Sequence, residues 1–261
     1  MVDIVQITDT HLFADDAGRL LGLDTVRSLT EVVQLALRRG RPDLVIASGD
    51  LAHDGSPGAY RKLRERLAAF GAPVYCLPGN HDEGAALREH LNNDGFLCPP
   101  EVRTRNGWQM VLLDSTVHGS ECGQLAGSEL TRLNECLRGH PDAPTLVWLH
   151  HQPVAIGSAW LDTMAVSNGA DLLAALAGQT QVRAVIWGHV HQEFDQRRDQ
   201  MRLLASPSTC IQFKPGSERF AVDDATPGYR WLRLHDDGTL ETGIERLHEM
   251  PGVIDLSERG Y

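Results

Sequence analysis

The chain predicts an α/β fold in which a mixed or parallel sheet carries helices on its faces. Apolar runs of strand length alternate with segments of helical period, and a polar cluster closes most of the runs. Residues 4–7 form the first run and stop at Thr8 and Asp9. Residues 25–39 then set Val26, Leu29, Val32, Val33, Ala36 and Leu37 at helical spacing. Pro42 precedes a buried-strand pattern at 44–47, residues 60–70 read as the next amphipathic helix, and residues 74–77 read as a third strand ending at Pro78-Gly79-Asn80. Further runs follow at 109–113, 145–149 and 182–187, with helical patterns at 129–137 and 170–176. From residue 202 the segments shorten. Asp236-Asp237-Gly238, between residues 230–234 and 239–244, is a hairpin signal, so residues 202–250 are expected to form an antiparallel strand segment of the same domain.

A length of 261 residues suits a single domain over 1–261, because α/β folds of this size commonly close around one ample core. Lys and Arg number 24 against 35 Asp and Glu, a net charge of -11, so a long nucleic acid would meet repulsion. A small anionic substrate remains compatible, since bound cations dominate the local field. The five cysteines are odd in number, widely spaced and without a CxxC pair, which speaks against disulfides and thiolate zinc sites. The first residues enter a strand directly, without a basic, apolar or cleavage signal, and no apolar run reaches the roughly 20 residues that span a bilayer. The expectation is a cytoplasmic protein with no membrane association, no nucleic-acid partner and no obligate protein partner.

Five polar clusters carry the chemistry: Asp9-Thr10-His11, Gly49-Asp50, Gly79-Asn80-His81-Asp82, His150-His151 and Gly188-His189-Val190-His191. Each follows an apolar run, and ligands of open α/β sheets gather at the carboxyl ends of strands. Carboxylate, imidazole and amide donors without thiolate suit manganese, iron or zinc. If strand geometry persists, Asp9 and His11 point the same way around Thr10, and His189 and His191 do so around Val190. Two ions about 3.5–4 Å apart, bridged by a carboxylate and a hydroxide, would bind a phosphate ester. Asp50 is the natural bridge, and His81, beside Asn80, is placed to protonate a departing alkoxide.

On these motifs the sequence resembles the calcineurin-like metallophosphoesterases along essentially its whole length. The resemblance implies a four-layer α/β/β/α sandwich with mixed sheets and two metal ions per chain. Asp9, His11, Asp50 and His191 would hold the first ion, while Asp50, Asn80, His150 and His189 would hold the second. Iron is implied at the first site and manganese or iron at the second, with zinc and cobalt as occupants in vitro. His11, Asp50, Asn80, His81 and His191 would meet the substrate, and His81 and Asp50 would act in catalysis. His150 follows its strand directly and His151 would support it, although a swap of the two stays open.

Within that family the likeness is nearest to bacterial class III 3′,5′-cyclic-AMP phosphodiesterases. It is carried by residues 6–13, by 158–168 with Trp160, by the Ser206–Pro215 stretch, by 225–230 and by Arg259-Gly260-Tyr261. The implied reaction is hydrolysis of 3′,5′-cyclic AMP to 5′-AMP by attack of a metal-bridging hydroxide. The alternative is a glycerophosphodiesterase or broad phosphodiesterase using the same ligands, and a nucleotide-binding module without catalysis is a third reading. No further arginine-bearing motif at the clusters marks a protein phosphatase. Asp82 either orients His81 or caps the helix starting near Glu83. Trp160, Phe194 and Phe213 could stack on a purine or pack in the core. His53 and Asp54 follow Asp50 closely and either line the rim of the site or, as the preferred reading, form a solvated loop, and His118 reads as a surface residue.

Overall fold

The structure is a computed structural model, and residues 1–257 are described; the Arg259–Tyr261 segment lies outside them. β1 (Val2–Ile7) leads into α1 (Thr25–Arg39), β2 (Leu44–Ser48), α2 (Pro57–Leu67), β3 (Val74–Leu77), α3 (Gly84–His90) and the short β4 (Phe96–Leu97). Asp24 caps α1 by accepting from the Arg27 N–H, and Ser56 caps α2 by accepting from Ala59. β1 to β4 run parallel, as strand–helix–strand connections require.

The second half repeats the plan. β5 (Glu101–Arg103), β6 (Gln109–Leu112), α4 (Gly127–Gly139), β7 (Thr145–Trp148), α5 (Ala159–Asp162), α6 (Gly169–Leu176), β8 (Val182–Trp187), β9 (Phe194–Arg198) and β10 (Met201–Ala205) follow in order. They form a sheet of order β5-β6-β7-β8-β10-β9. A small hairpin, β11 (Gln212–Phe213) and β12 (Val222–Asp223), precedes β13 (Gly228–Leu234) and β14 (Leu240–Arg246), which return to give the first sheet the order β14-β13-β1-β2-β3-β4. β13 and β14 are antiparallel, as the Asp-Asp-Gly turn predicts. The expectation of an antiparallel segment from residue 202 fails at β10, which pairs parallel to β8 and antiparallel to β9. β10 is a central strand buried on both faces, so its short run gives no hint of direction.

Three apolar interfaces make the layers. Ile4, Ile46, Leu112, Trp148, Ile186 and Leu232 meet between the sheets. Val5, Ile7, Val45 and Ala47, the alternate residues of β1 and β2, pack on α1 and α2 instead. Val111, Val147, Val185 and Trp187 pack on α4 and α6. Strands buried on both faces read as continuous apolar runs, which is how they appear in the sequence. The result is the α/β/β/α sandwich, with the ends of β1, β2, β3, β7 and β8 brought to one edge.

Candidate metal centre

The five clusters leave the sheets at that edge and interlock. The Asp9 and His11 amides donate to the Gly49 and Asp50 carbonyls at 3.0 and 2.9 Å. The His81 amide donates to Asp50 Oδ1 at 2.9 Å, and the His189 amide to both Asp9 carboxylate oxygens at 3.0 and 3.1 Å. Gly79 has no room for a side chain, because a Cβ there would sit 2.2 Å from Asp50 Oδ1.

One sequence expectation is corrected here. β1 ends at Ile7 and β8 at Trp187, so strand alternation does not aim the paired ligands. Asp9, His11, Asp50, His189 and His191 all take positive φ, between 42 and 65°. Each chain therefore turns left-handed at its ligands, a backbone that Asp, Asn and His tolerate better than most residues.

The side chains converge as electron-pair donors. His191 Nδ1 lies 2.9 Å from the Ile211 carbonyl and His150 Nδ1 2.9 Å from that of Ser48. A carbonyl can only accept, so both rings carry their proton on Nδ1 when neutral and present a bare Nε2 inward. His191 Nε2 is 3.2 Å from His11 Nε2 and 3.4 Å from Asp9 Oδ1. His150 Nε2 is 3.2 Å from Asp50 Oδ2 and 3.9 Å from Asp9 Oδ1. Asn80 Oδ1 and His189 Nε2 are buried with no hydrogen-bond partner among the described residues. Electron pairs packed this closely need positive charge between them, a proton or a cation, and the donor set is the hard-to-borderline one that manganese, iron or zinc takes. Donor atoms of Asp9, His11 and His191 lie within 4.8 Å of one another, as do those of Asp9, Asp50 and His150.

Burial pushes His11 and His189 well below the usual imidazole range, the neutral form that ligates. Burial alone would raise Asp50, but His150, His81 and His11 around it hold its carboxyl well below the ordinary range. Burial likewise pulls His150 down, yet the Asp50 and Asp9 carboxylates outweigh it and raise the ring to about 9. Loading the site accordingly releases a proton from His150.

His151 sits apart from both carboxylates. Its Nδ1 lies 2.9 Å from Ser115 Oγ, and burial pushes it down to about 3. Its Nε2 is buried beside His189 and has no hydrogen-bond partner among the described residues. Asp82 does not cap α3, whose cap is Glu83. Instead it accepts from the Leu51, Ala52 and Gly79 amides and from the Tyr60 hydroxyl, tying the Asp50 loop to the Asn80 loop.

His53 is the residue the sequence concealed. Far from a solvated loop, it is partly buried, 3.1 Å from His11 through their Nδ1 atoms and stacked on His81 at 4.7 Å. The only signal was its spacing, one turn of chain past Asp50. The aromatic candidates pack rather than wait for a ligand. Phe213 is buried and stacked on His191 at 4.2 Å, with Trp160 against its edge, and Phe194 leans on Trp187. The 206–215 stretch supports the centre from behind: Ser208 Oγ donates to the Asp9 carbonyl at 2.7 Å, and the Thr209 amide to that of Thr8. A cleft of about 410 Å³ opens beside Asn80 and His81, bounded by Arg88, Val117 and His118.

Fold and ligand set together define a metal-dependent phosphoesterase, and the chain belongs to the calcineurin-like phosphoesterase family, whose model matches residues 2–193. The family uses a dinuclear metal site. Among curated proteins the chain is 44% identical over 259 residues to a 3′,5′-cyclic adenosine monophosphate phosphodiesterase, CpdA, of Pseudomonas aeruginosa, covering 99% of this chain and 94% of that one. It is 42% identical to the enzyme of the same name from Escherichia coli, over 100% and 95% of the two chains. Among solved structures, a dimetal phosphatase from Danio rerio superposes with a TM-score of 0.66 at 15% identity, over 88% of this chain and 94% of that one, a likeness of fold.

Proposed function

We propose that this protein is a dinuclear-metal phosphodiesterase that hydrolyses 3′,5′-cyclic AMP to 5′-AMP. The observation that carries it is the convergence of Asp9, His11, Asp50, Asn80, His150, His189 and His191 on one edge, in a chain similar from end to end to cyclic-AMP phosphodiesterases. Asp9, His11, Asp50 and His191 hold one ion, and Asp50, Asn80, His150 and His189 the other. When bound, the two ions neutralise the phosphodiester and acidify water at neutral pH. The donor set suits manganese, iron or zinc alike, and iron in the first position with manganese or iron in the second is the assignment supported by family resemblance.

His81 supplies the proton. Its Nδ1 lies 3.2 Å from the His53 carbonyl, which commits that nitrogen as donor, so the proton passed to the departing 3′ oxygen is a second one, carried on Nε2, and the ring is left neutral after the transfer. The adjoining cleft is of the size that holds a nucleotide. The anionic surface disfavours long nucleic acids, and the unpatterned cysteines support a reducing, cytoplasmic workplace.

The test uses purified protein loaded with manganese and assayed against cyclic AMP and glycerophosphocholine at equal concentration. Cyclic AMP is expected to turn over faster. Asp50→Ala and Asn80→Ala should abolish metal-dependent turnover, and His81→Ala should keep its metals while losing about 10²–10⁴-fold in kcat. Intact turnover in Asp50→Ala, or a preference for glycerophosphocholine, would refute the assignment.

A further inference from the structure

The ligand imidazoles differ in what fixes their rings. His150 and His191 are each set by a backbone carbonyl, 2.9 Å from Nδ1, which no substitution at those carbonyls would remove. His11 is set by a side chain. Its Nδ1 lies 3.1 Å from Nδ1 of His53, while its Nε2 faces His191 Nε2 at 3.2 Å and Asp50 Oδ2 at 3.8 Å. For His11 to offer a bare Nε2 to a cation its proton must be on Nδ1, so His53 Nδ1 must accept and the His53 proton must sit on Nε2.

The same residue also shapes the substrate side. The His53 ring lies nearly parallel to that of His81, with centroids 4.7 Å apart and planes 23° from each other. Phe13 packs on it at 4.7 Å, and its carbonyl is 3.2 Å from His81 Nδ1. Donor atoms of His11, His53 and His81 fall within 4.8 Å of one another.

We infer that His53 is a positioning residue that serves two groups at once: its Nδ1 fixes the tautomer and tilt of the metal ligand His11, and its ring plane holds His81 against the substrate. The inference rests on the phosphodiesterase reading above. It separates two properties of one side chain, the acceptor nitrogen and the flat ring, which different substitutions remove one at a time.

His53→Phe keeps a ring for His81 and Phe13 and deletes the acceptor. His53→Asn places an amide oxygen near the former Nδ1 and deletes the ring. For both, manganese affinity is measured by competition with a chelator, kcat and KM for cyclic AMP at saturating manganese, and folding by the melting temperature of the metal-stripped protein. His53→Phe is expected to bind one of its two ions about 10–100-fold more weakly, the usual effect of losing an outer partner of a ligand, with kcat near wild type once saturated. His53→Asn is expected to keep near-wild-type manganese affinity and to lose about 10–100-fold in kcat at unchanged KM, because His81 is displaced. Wild-type affinity in His53→Phe, or equal loss of affinity in both variants, overturns the inference. Failure of the unsubstituted protein to bind manganese would instead sink the phosphodiesterase reading.

Discussion

Neighbouring histidines at the end of β7 show how much a single peptide unit decides. His150 turns toward Asp50 and Asp9, whereas His151 turns to Ser115 and packs beside the rings of His150 and His189. Replacement of each should therefore differ in metal stoichiometry. His150→Ala is expected to lose one ion per chain, and His151→Ala to retain both, with metal content measured directly on the purified proteins. Retention of two ions by His150→Ala would reverse the assignment. In the sequence the two histidines are interchangeable, since nothing in their order shows which ring has a carbonyl behind it. Asp9, Asp50 and His191 could be proposed from sequence because each lies in a polar cluster that follows an apolar run. The role of His53 could not, because its partner His11 lies forty-two residues earlier in the chain.

Between the strands, a buried polar network explains why the 206–215 and 225–230 segments matter without contributing a ligand. Arg230 on β13 is buried, and its guanidinium is spent on a carbonyl and hydroxyls. Its guanidinium donates to the Ala205 carbonyl at 2.7 Å, to Ser206 Oγ at 3.1 Å and to Thr242 Oγ1 at 3.2 Å. Ser206 in turn donates to Gln6, whose amide donates to Ser48 Oγ at 2.8 Å and the Trp187 carbonyl at 3.3 Å. One chain of hydrogen bonds thus joins β13, β10, β1, β2 and β8 just beneath the ligand loops. Arg230→Ala strands Ala205 and Ser206 and opens a cavity, so a loss of about 3–5 kcal/mol is expected in denaturant melts. A loss well under 1 kcal/mol would show the network to be dispensable. The elements were readable from apolar period, but the parallel setting of β10 and this network were not. Both depend on which strands meet, a long-range property that no local window carries.

Asp9, His11, Asp50 and Asn80 come from loops of the first sheet, and His150, His189 and His191 from loops of the second. Ions held by both sheets bind the folded chain and not the unfolded one. At a free concentration of 1,000 Kd, one such ion adds about 4 kcal/mol of stability. For a chain of this size that amounts to roughly 10 °C in melting temperature. Stripping both ions with a chelator should lower the midpoint by about twice that, and refilling with manganese should restore it; an unchanged midpoint would show that the ions do not favour the folded chain over the unfolded one. No helix among the described residues is long and apolar enough to cross a membrane.

The left-handed turns at Asp9, His11, Asp50, His189 and His191 have a further consequence for substitution. Apart from glycine, the residues that enter this backbone most readily are Asn, Asp and His. These are also the oxygen and nitrogen donors that borderline and hard cations accept. At these positions a substitution by another residue type would meet backbone strain as well as the loss of a donor. Most tolerated changes swap one donor for another rather than delete it. The loop shape and the donor chemistry are thus set by the same few residue types.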